Sequence, residues 1–114
     1  MRDNIKGGAL TETCFLILLS VYEPNHGYGI KKFISKETNG RLDLGAGTLY
    51  GALNTLLKKK WIMPYDNDED SRKHRFIITE EGKQVVEKEL MRLNEVLELA
   101  IKVTGGNKNH KNSF

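Results

Sequence analysis

Residues 44–61, LGAGTLYGALNTLLKKKW, constrain this chain more than any other stretch. Leu49, Leu53, Leu56 and Leu57 fall at i, i+4, i+7 and i+8, the buried stripe of an amphipathic helix. Gly47, Gly51, Asn54 and Lys58 fall at i, i+4, i+7 and i+11 and form a second stripe, flanked by Tyr50, Thr55 and Lys59. Glycine inside a helix costs about 1 kcal/mol relative to alanine, so a pair on one face calls for a reason. A face stripped of side-chain bulk can lie very close to another surface. Asn, Tyr, Thr and Lys beside it suit a DNA groove, where Asn reads adenine and Lys meets guanine or phosphate. A plain solvent face with a loosely held start is the competing reading of the helix taken alone.

The flanking chain decides between them. Upstream, LTETCFLILLSVY (residues 10–22) is apolar on nearly every side and reads as a fully buried helix, with Thr11 at its N-cap. Pro24 and the Asn-His-Gly after it end that helix. Residues 26–38 form a shorter amphipathic helix with Ile30, Phe33 and Ile34 inward and Lys31, Lys32 and Lys36 outward; His26 is placed to cap its start, and Asn39-Gly40 is the turn that follows. Three helices, the last two joined by a short glycine-containing connection, match a helix-turn-helix. After Lys60 the period changes. Residues 61–65 are strand-like, with Pro64 marking an edge, and residues 75–79 are the matching strand across a polar tip, DNDEDSRKH. Two strands cannot stand alone in water, so this hairpin must pack on the helices. The expected fold is mainly α with a small β-hairpin, a winged helix-turn-helix.

Thr79-Glu80-Glu81-Gly82 opens a long last helix, capped by Thr79. Val86, Leu90, Leu93, Leu97 and Ala100 repeat at spacings of 4, 3, 4 and 3, a heptad seam, and Val85, Val96, Leu99 and Val103 add a second apolar line. A small domain cannot cover that much apolar surface, so a homodimer through Val86, Leu90, Leu93, Val96, Leu97 and Ala100 is expected. Gly105-Gly106 stops the helix. The chain therefore divides into a flexible arm (1–9), a winged helix-turn-helix (10–79), a dimerisation helix (80–104) and a disordered tail (105–114).

Charge and composition exclude other classes. The net charge of +3 is compatible with a polyanionic partner without requiring one. Cys14 is the only cysteine and lies in the most apolar helix, so it is expected to be a core residue in a reducing compartment. No signal peptide is visible, and the apolar run 14–19 is far short of the ~20 residues that a membrane span needs, which together predict a cytoplasmic protein. Asp66, Asp68, Glu69 and Asp70 resemble the start of a calcium loop, but Ser71 and Ile77 stand where its glycine and glutamate belong. His26, His74 and His110 lack partners at zinc-ligand spacing. No nucleophile–base set, phosphate loop or apolar carboxylate pair is present, so neither an enzyme nor a cofactor or metal is expected.

Leu18-Leu19 followed by His26-Gly27-Tyr28-Gly29-Ile30, then Gly47-Thr48-Leu49-Tyr50 with Ala52-Leu53 and Leu56, then Arg72-Lys73-His74-Arg75-Phe76 leading into Thr79-Glu80-Glu81-Gly82, resemble in order and spacing the PadR family of winged-helix transcriptional regulators. The single long last helix is similar to the short branch of that family. Gly51 departs from the proline of many relatives, Ile78 from the usual leucine, and His74-Arg75 from the usual Lys-Tyr. The resemblance implies a homodimeric DNA-binding repressor acting on a palindromic operator and often released by a small ligand. Its DNA contacts would come from Lys31, Lys32, Gly47, Thr48, Tyr50, Gly51, Asn54, Thr55, Lys58, Arg72, Lys73 and Arg75. Relatives commonly hold flat aromatic effectors near the dimer interface. Residues 83–103 contain no aromatic side chain, so any pocket for a small hydrophobic effector is expected to be aliphatic, formed by Phe15, Leu19, Met91, Leu93, Val96 and Leu97. The alternative from another class is a winged-helix protein–protein adaptor, which would not need its lysines, arginines and glycine face on one surface.

Overall fold

The computed structural model describes residues 8–66 and 74–105, in the order α1 (Glu12–Ser20), β1 (Asn25–His26), α2 (Gly27–Glu37), α3 (Ala46–Lys58), β2 (Ile62–Pro64), β3 (Arg75–Ile78) and α4 (Glu80–Thr104). The arm at 1–7, the hairpin tip at 67–73 and the tail at 106–114 lie outside the described residues. Cys14, Ile17 and Leu18 of α1 are fully buried and meet Ile30 and Ile34 of α2, Leu49, Ala52, Leu53 and Leu56 of α3, and Ile62, Ile78 and Val86 in one core. Burying side chains of this size stabilises by about 1.5–3 kcal/mol each.

Each helix starts where the sequence supplies a cap. The Thr11 hydroxyl accepts from the Cys14 N–H at 3.1 Å, opening α1, and the imidazole Nδ1 of His26 accepts from Gly29 N–H at 3.0 Å, opening α2. The Thr79 hydroxyl accepts from Gly82 N–H at 3.0 Å, opening α4. Helices α2 and α3 end alike. Asn39 (φ 53°) and Lys60 (φ 64°) take left-handed conformations. The amides of Gly40 and Asn39 then donate to Ser35 and Lys36 (2.7 and 3.1 Å), and those of Trp61 and Lys60 to Leu56 and Leu57 (3.1 and 3.0 Å). Both are Schellman endings.

The sheet has one strand more than the expected hairpin. Asn25 and His26 end α1's connection as expected, yet also pair antiparallel with Phe76 and Arg75, giving the order β1-β3-β2. Strand β3 is thus central, and Pro64 lies on the edge strand β2, opposite Phe76. Asn25 is locked there: its Nδ2 donates to the Ser20 carbonyl (3.1 Å) and its Oδ1 accepts from His26 N–H (3.0 Å).

The start of α4 is pinned to the end of α3. Thr79 donates from its N–H to the Trp61 carbonyl (3.0 Å) and from its hydroxyl to the Lys60 carbonyl (2.8 Å), and a Cβ on Gly82 would collide with that same Trp61 carbonyl. Only Gly82, Val86 and Glu89 of α4 are buried. From Leu90 onward the helix runs clear of the core, and a 25-residue helix is about 37 Å long, much of the molecule's 54 Å long dimension. Val86, expected on the dimer seam, is 2% exposed and belongs to the core of its own chain, because this end of the helix is the end that α1 covers.

Candidate nucleic-acid interface

Helix α3 separates its two stripes as its periodicity predicts. Leu49, Ala52, Leu53 and Leu56 are buried and Leu57 half-buried, while Gly47, Thr48, Gly51, Asn54 and Lys58 are exposed. Thr55 is half-buried at the edge and donates its hydroxyl proton to the Gly51 carbonyl at 3.1 Å. A Cβ built on Gly45, Gly47 or Gly51 meets nothing within 4 Å among the described residues, and Gly47, Thr48, Gly51 and Ala52 line a shallow hollow. The glycines are therefore not spaces filled by neighbouring protein. They leave the backbone of α3 open to whatever approaches.

Tyr50, expected among the DNA contacts, also has an internal duty. Its hydroxyl end lies over Gly27 in the first turn of α2, where any Cβ would strike it, and the ring remains 49% exposed. Glycine at position 27 and tyrosine at position 50 thus form one contact between the two helices.

The cations selected from the sequence meet different surroundings. Lys58 is exposed beside Asn54. The Lys32 ammonium lies 5.4 Å from the ring centre of Tyr28, and that of Lys59 lies 5.1 Å from the Trp61 ring. Lys31 is paired with Asp43, Nζ to Oδ1 at 2.5 Å. Arg75 donates from Nε and Nη2 to the two carboxylate oxygens of Asp66 (2.6 and 3.1 Å), and its guanidinium lies 4.9 Å from the Tyr65 ring centre. That hydrogen bonding holds the Asp66 carboxyl below the usual carboxylate range. Arg72 and Lys73 lie outside the described residues.

On the remaining face, Leu90, Leu93, Val96, Leu97 and Ala100 are exposed along the projecting part of α4. Phe15 and Leu19 pack half-buried against the core. Met91, grouped with them as a pocket residue, instead lines a surface hollow with Glu81, Gln84, Val85, Glu87 and Lys88. The sequence reading missed Glu89. It is 4% exposed, and its carboxylate accepts from Arg92 Nε and Nη2 at 2.8 and 2.7 Å. The Arg92 hydrogen bonds hold it below the usual carboxylate range against the opposing effect of burial, with the Leu10 N–H adding a further bond. A glutamate followed three residues later by arginine was the available signal.

Residues 15–88, from α1 into the first third of α4, match the transcriptional regulator PadR-like family. The chain belongs to the PadR-like family. Members of this family are transcriptional regulators rather than enzymes. The fold agrees. A transcriptional regulator from Clostridium thermocellum is 28% identical with a TM-score of 0.63, over 82% of this chain and 89% of that one. A PadR family transcriptional regulator from Eggerthella lenta superposes with a TM-score of 0.68 at 21% identity, over 80% of each chain. An uncharacterized 37.1 kDa transposon protein of Streptomyces fradiae is 38% identical over 66 residues, which is 58% of this PadR-like chain and only 18% of that relative's length. Among the described residues, no helix is long and apolar enough to cross a membrane.

Proposed function

We propose that this PadR-like chain is a homodimeric, sequence-specific DNA-binding repressor that seats the Gly47–Gly51–Asn54 face of α3 in the major groove of a palindromic operator. The observation that carries this reading is the open glycine stripe. On a helix packed by four buried residues on one side, the opposite side bears Thr48, Asn54 and Lys58, with none of the described residues standing over Gly47 or Gly51. Asn54 is suited to adenine and Lys58 to guanine or phosphate. Arg72 and Lys73 of the wing and Lys32 of α2 are assigned to phosphates, which position the protein without reading sequence.

The second half of α4 supports the dimer. Leu90 (52% exposed), Leu93 (41%), Val96 (51%) and Leu97 (41%) form an apolar strip that a monomer would leave in water. Two-fold symmetry then sets the two recognition helices about 34 Å apart, matching half-sites one helical turn apart. Release by a small hydrophobic effector is part of the proposal. Such a ligand would bind among Phe15, Leu19, Met91, Leu93, Val96 and Leu97 and favour a spacing of the two α3 helices that misses the operator.

Selection of duplexes from a random pool, followed by filter binding at several salt concentrations, tests the reading. The selected duplex is expected to bind on the order of 10³-fold more tightly than a scrambled one. Affinity is expected to fall with salt at a slope of about −0.9 per phosphate contacted. A chain that enriches no sequence and binds no duplex would instead be the protein–protein adaptor.

A further inference from the structure

Among the cations expected to contact DNA, Lys31 and Arg75 are each held by an aspartate of the same chain. The Arg75 guanidinium grips both carboxylate oxygens of Asp66 at 2.6 and 3.1 Å and lies over Tyr65. Tyr65 is itself tied to this strand, its N–H donating to the Arg75 carbonyl at 2.8 Å. The pair therefore closes the base of the wing. Lys31 of α2 reaches Asp43, three residues ahead of α3, at 2.5 Å. In sequence the two pairs flank the proposed recognition helix, one at its leading end and one at the hairpin that follows it.

Resting on the DNA-binding reading above, we propose that Asp43 and Asp66 are specificity-determining residues. Each keeps a cation in an internal ion pair that a random duplex leaves intact and the operator displaces. The argument is electrostatic. A cation beside a carboxylate presents a dipole rather than a charge, and beyond about 10 Å salt screens what remains at ordinary ionic strength. A protein resting loosely on a random duplex gains little from such a group. Once α3 is seated in its own sequence, phosphates are brought to hydrogen-bonding distance. The paired groups are partly solvent-exposed, 36% and 66% for Lys31 and Asp43, 43% and 25% for Arg75 and Asp66. Exposed pairs are weak, so a well-placed phosphate can take the aspartate's position. For Arg75 the exchange preserves the fork geometry, since phosphate and carboxylate are both bound by parallel N–H donors. The aspartates thus lower affinity for both duplexes, but only the operator recovers the masked contacts.

The test is the salt dependence of binding by the full chain and its Asp43→Asn and Asp66→Asn variants, on the selected duplex and on a scrambled duplex of equal length. Removing each aspartate is expected to steepen the slope on the scrambled duplex by about 0.9 and to leave the slope on the selected duplex unchanged. The affinity ratio between the two is expected to fall about two- to fivefold per aspartate. Arg75→Gln combined with Asp66→Asn, which removes the contact without leaving a bare carboxylate, should do the reverse, taking about 0.9 from the slope on the selected duplex and nothing from the scrambled one. Equal steepening on both duplexes would make the aspartates simple repulsive charges and overturn the proposal. So would an unchanged slope on the scrambled duplex. A wild-type chain that binds neither duplex would overturn the DNA-binding reading itself, and this proposal with it.

Discussion

Gly51 and Gly82 both lie inside helices, but they serve opposite ends. In the folded chain a Cβ on Gly51 meets open space, whereas one on Gly82 runs into the Trp61 carbonyl. Gly51→Ala is therefore expected to stabilise the fold by about 0.5–1 kcal/mol through helix propensity alone. Gly82→Ala should destabilise it by about 1–3 kcal/mol, because the obstacle is backbone and cannot swing aside. Urea unfolding of both variants checks the pair. Gly51→Leu should hold or slightly raise the thermal midpoint while abolishing DNA binding; loss of both together would mean the stripe is structural. The periodicity of residues 44–61 made this face legible, since Gly47, Asn54 and Lys58 share it with Gly51. The pairing of Arg75 with Asp66 was not legible. The two are nine residues apart across a hairpin, and only the register of β2 against β3 brings them together.

At the scale of elements, the caps and the apolar stripes were the readable parts: Thr11, His26 and Thr79 each open the helix assigned to them. Strand β1 escaped because two residues, Asn25 and His26, have no alternation to detect and their partners are fifty residues away. Val86 lies in the core of its own chain for a related reason. A heptad pattern gives the face of a helix that is buried but not where along its length the covering chain stops. That boundary falls at Glu89, which joins Arg92 and the Leu10 amide where α4 leaves the core. The folded pKa of Glu89 is depressed, so its stabilisation is complete above the unfolded value of about 4.3 and is lost as pH falls through the folded value. Glu89→Gln is accordingly expected to melt below the wild type at pH 7, with the gap narrowing once the pH drops beneath about 4. Thermal melts of the two proteins over pH 3–7 would show a constant gap if packing rather than charge were responsible.

For the whole molecule, the projecting half of α4 is the feature a single chain cannot account for. Leu93 and Leu97 lie one turn apart on the exposed strip, so Leu93→Glu or Leu97→Glu should give folded monomers in analytical ultracentrifugation that bind a full palindrome no better than a half-site. A wild-type chain that sediments as a monomer at micromolar concentration would remove the basis for the dimer.

Trp61, the chain's only tryptophan, occupies the joint between α3 and α4. Its indole is 8% exposed beneath the Lys59 ammonium, and its carbonyl receives the amide that leads into α4. An indole so enclosed emits at shorter wavelength than one in water, and a displaced neighbouring cation shifts that emission. The molecule therefore carries a native optical gauge of the angle between α3 and α4. If the proposed function holds, operator binding, dimer dissociation and ligand capture should each leave a different spectrum in the light of one residue, with no label attached.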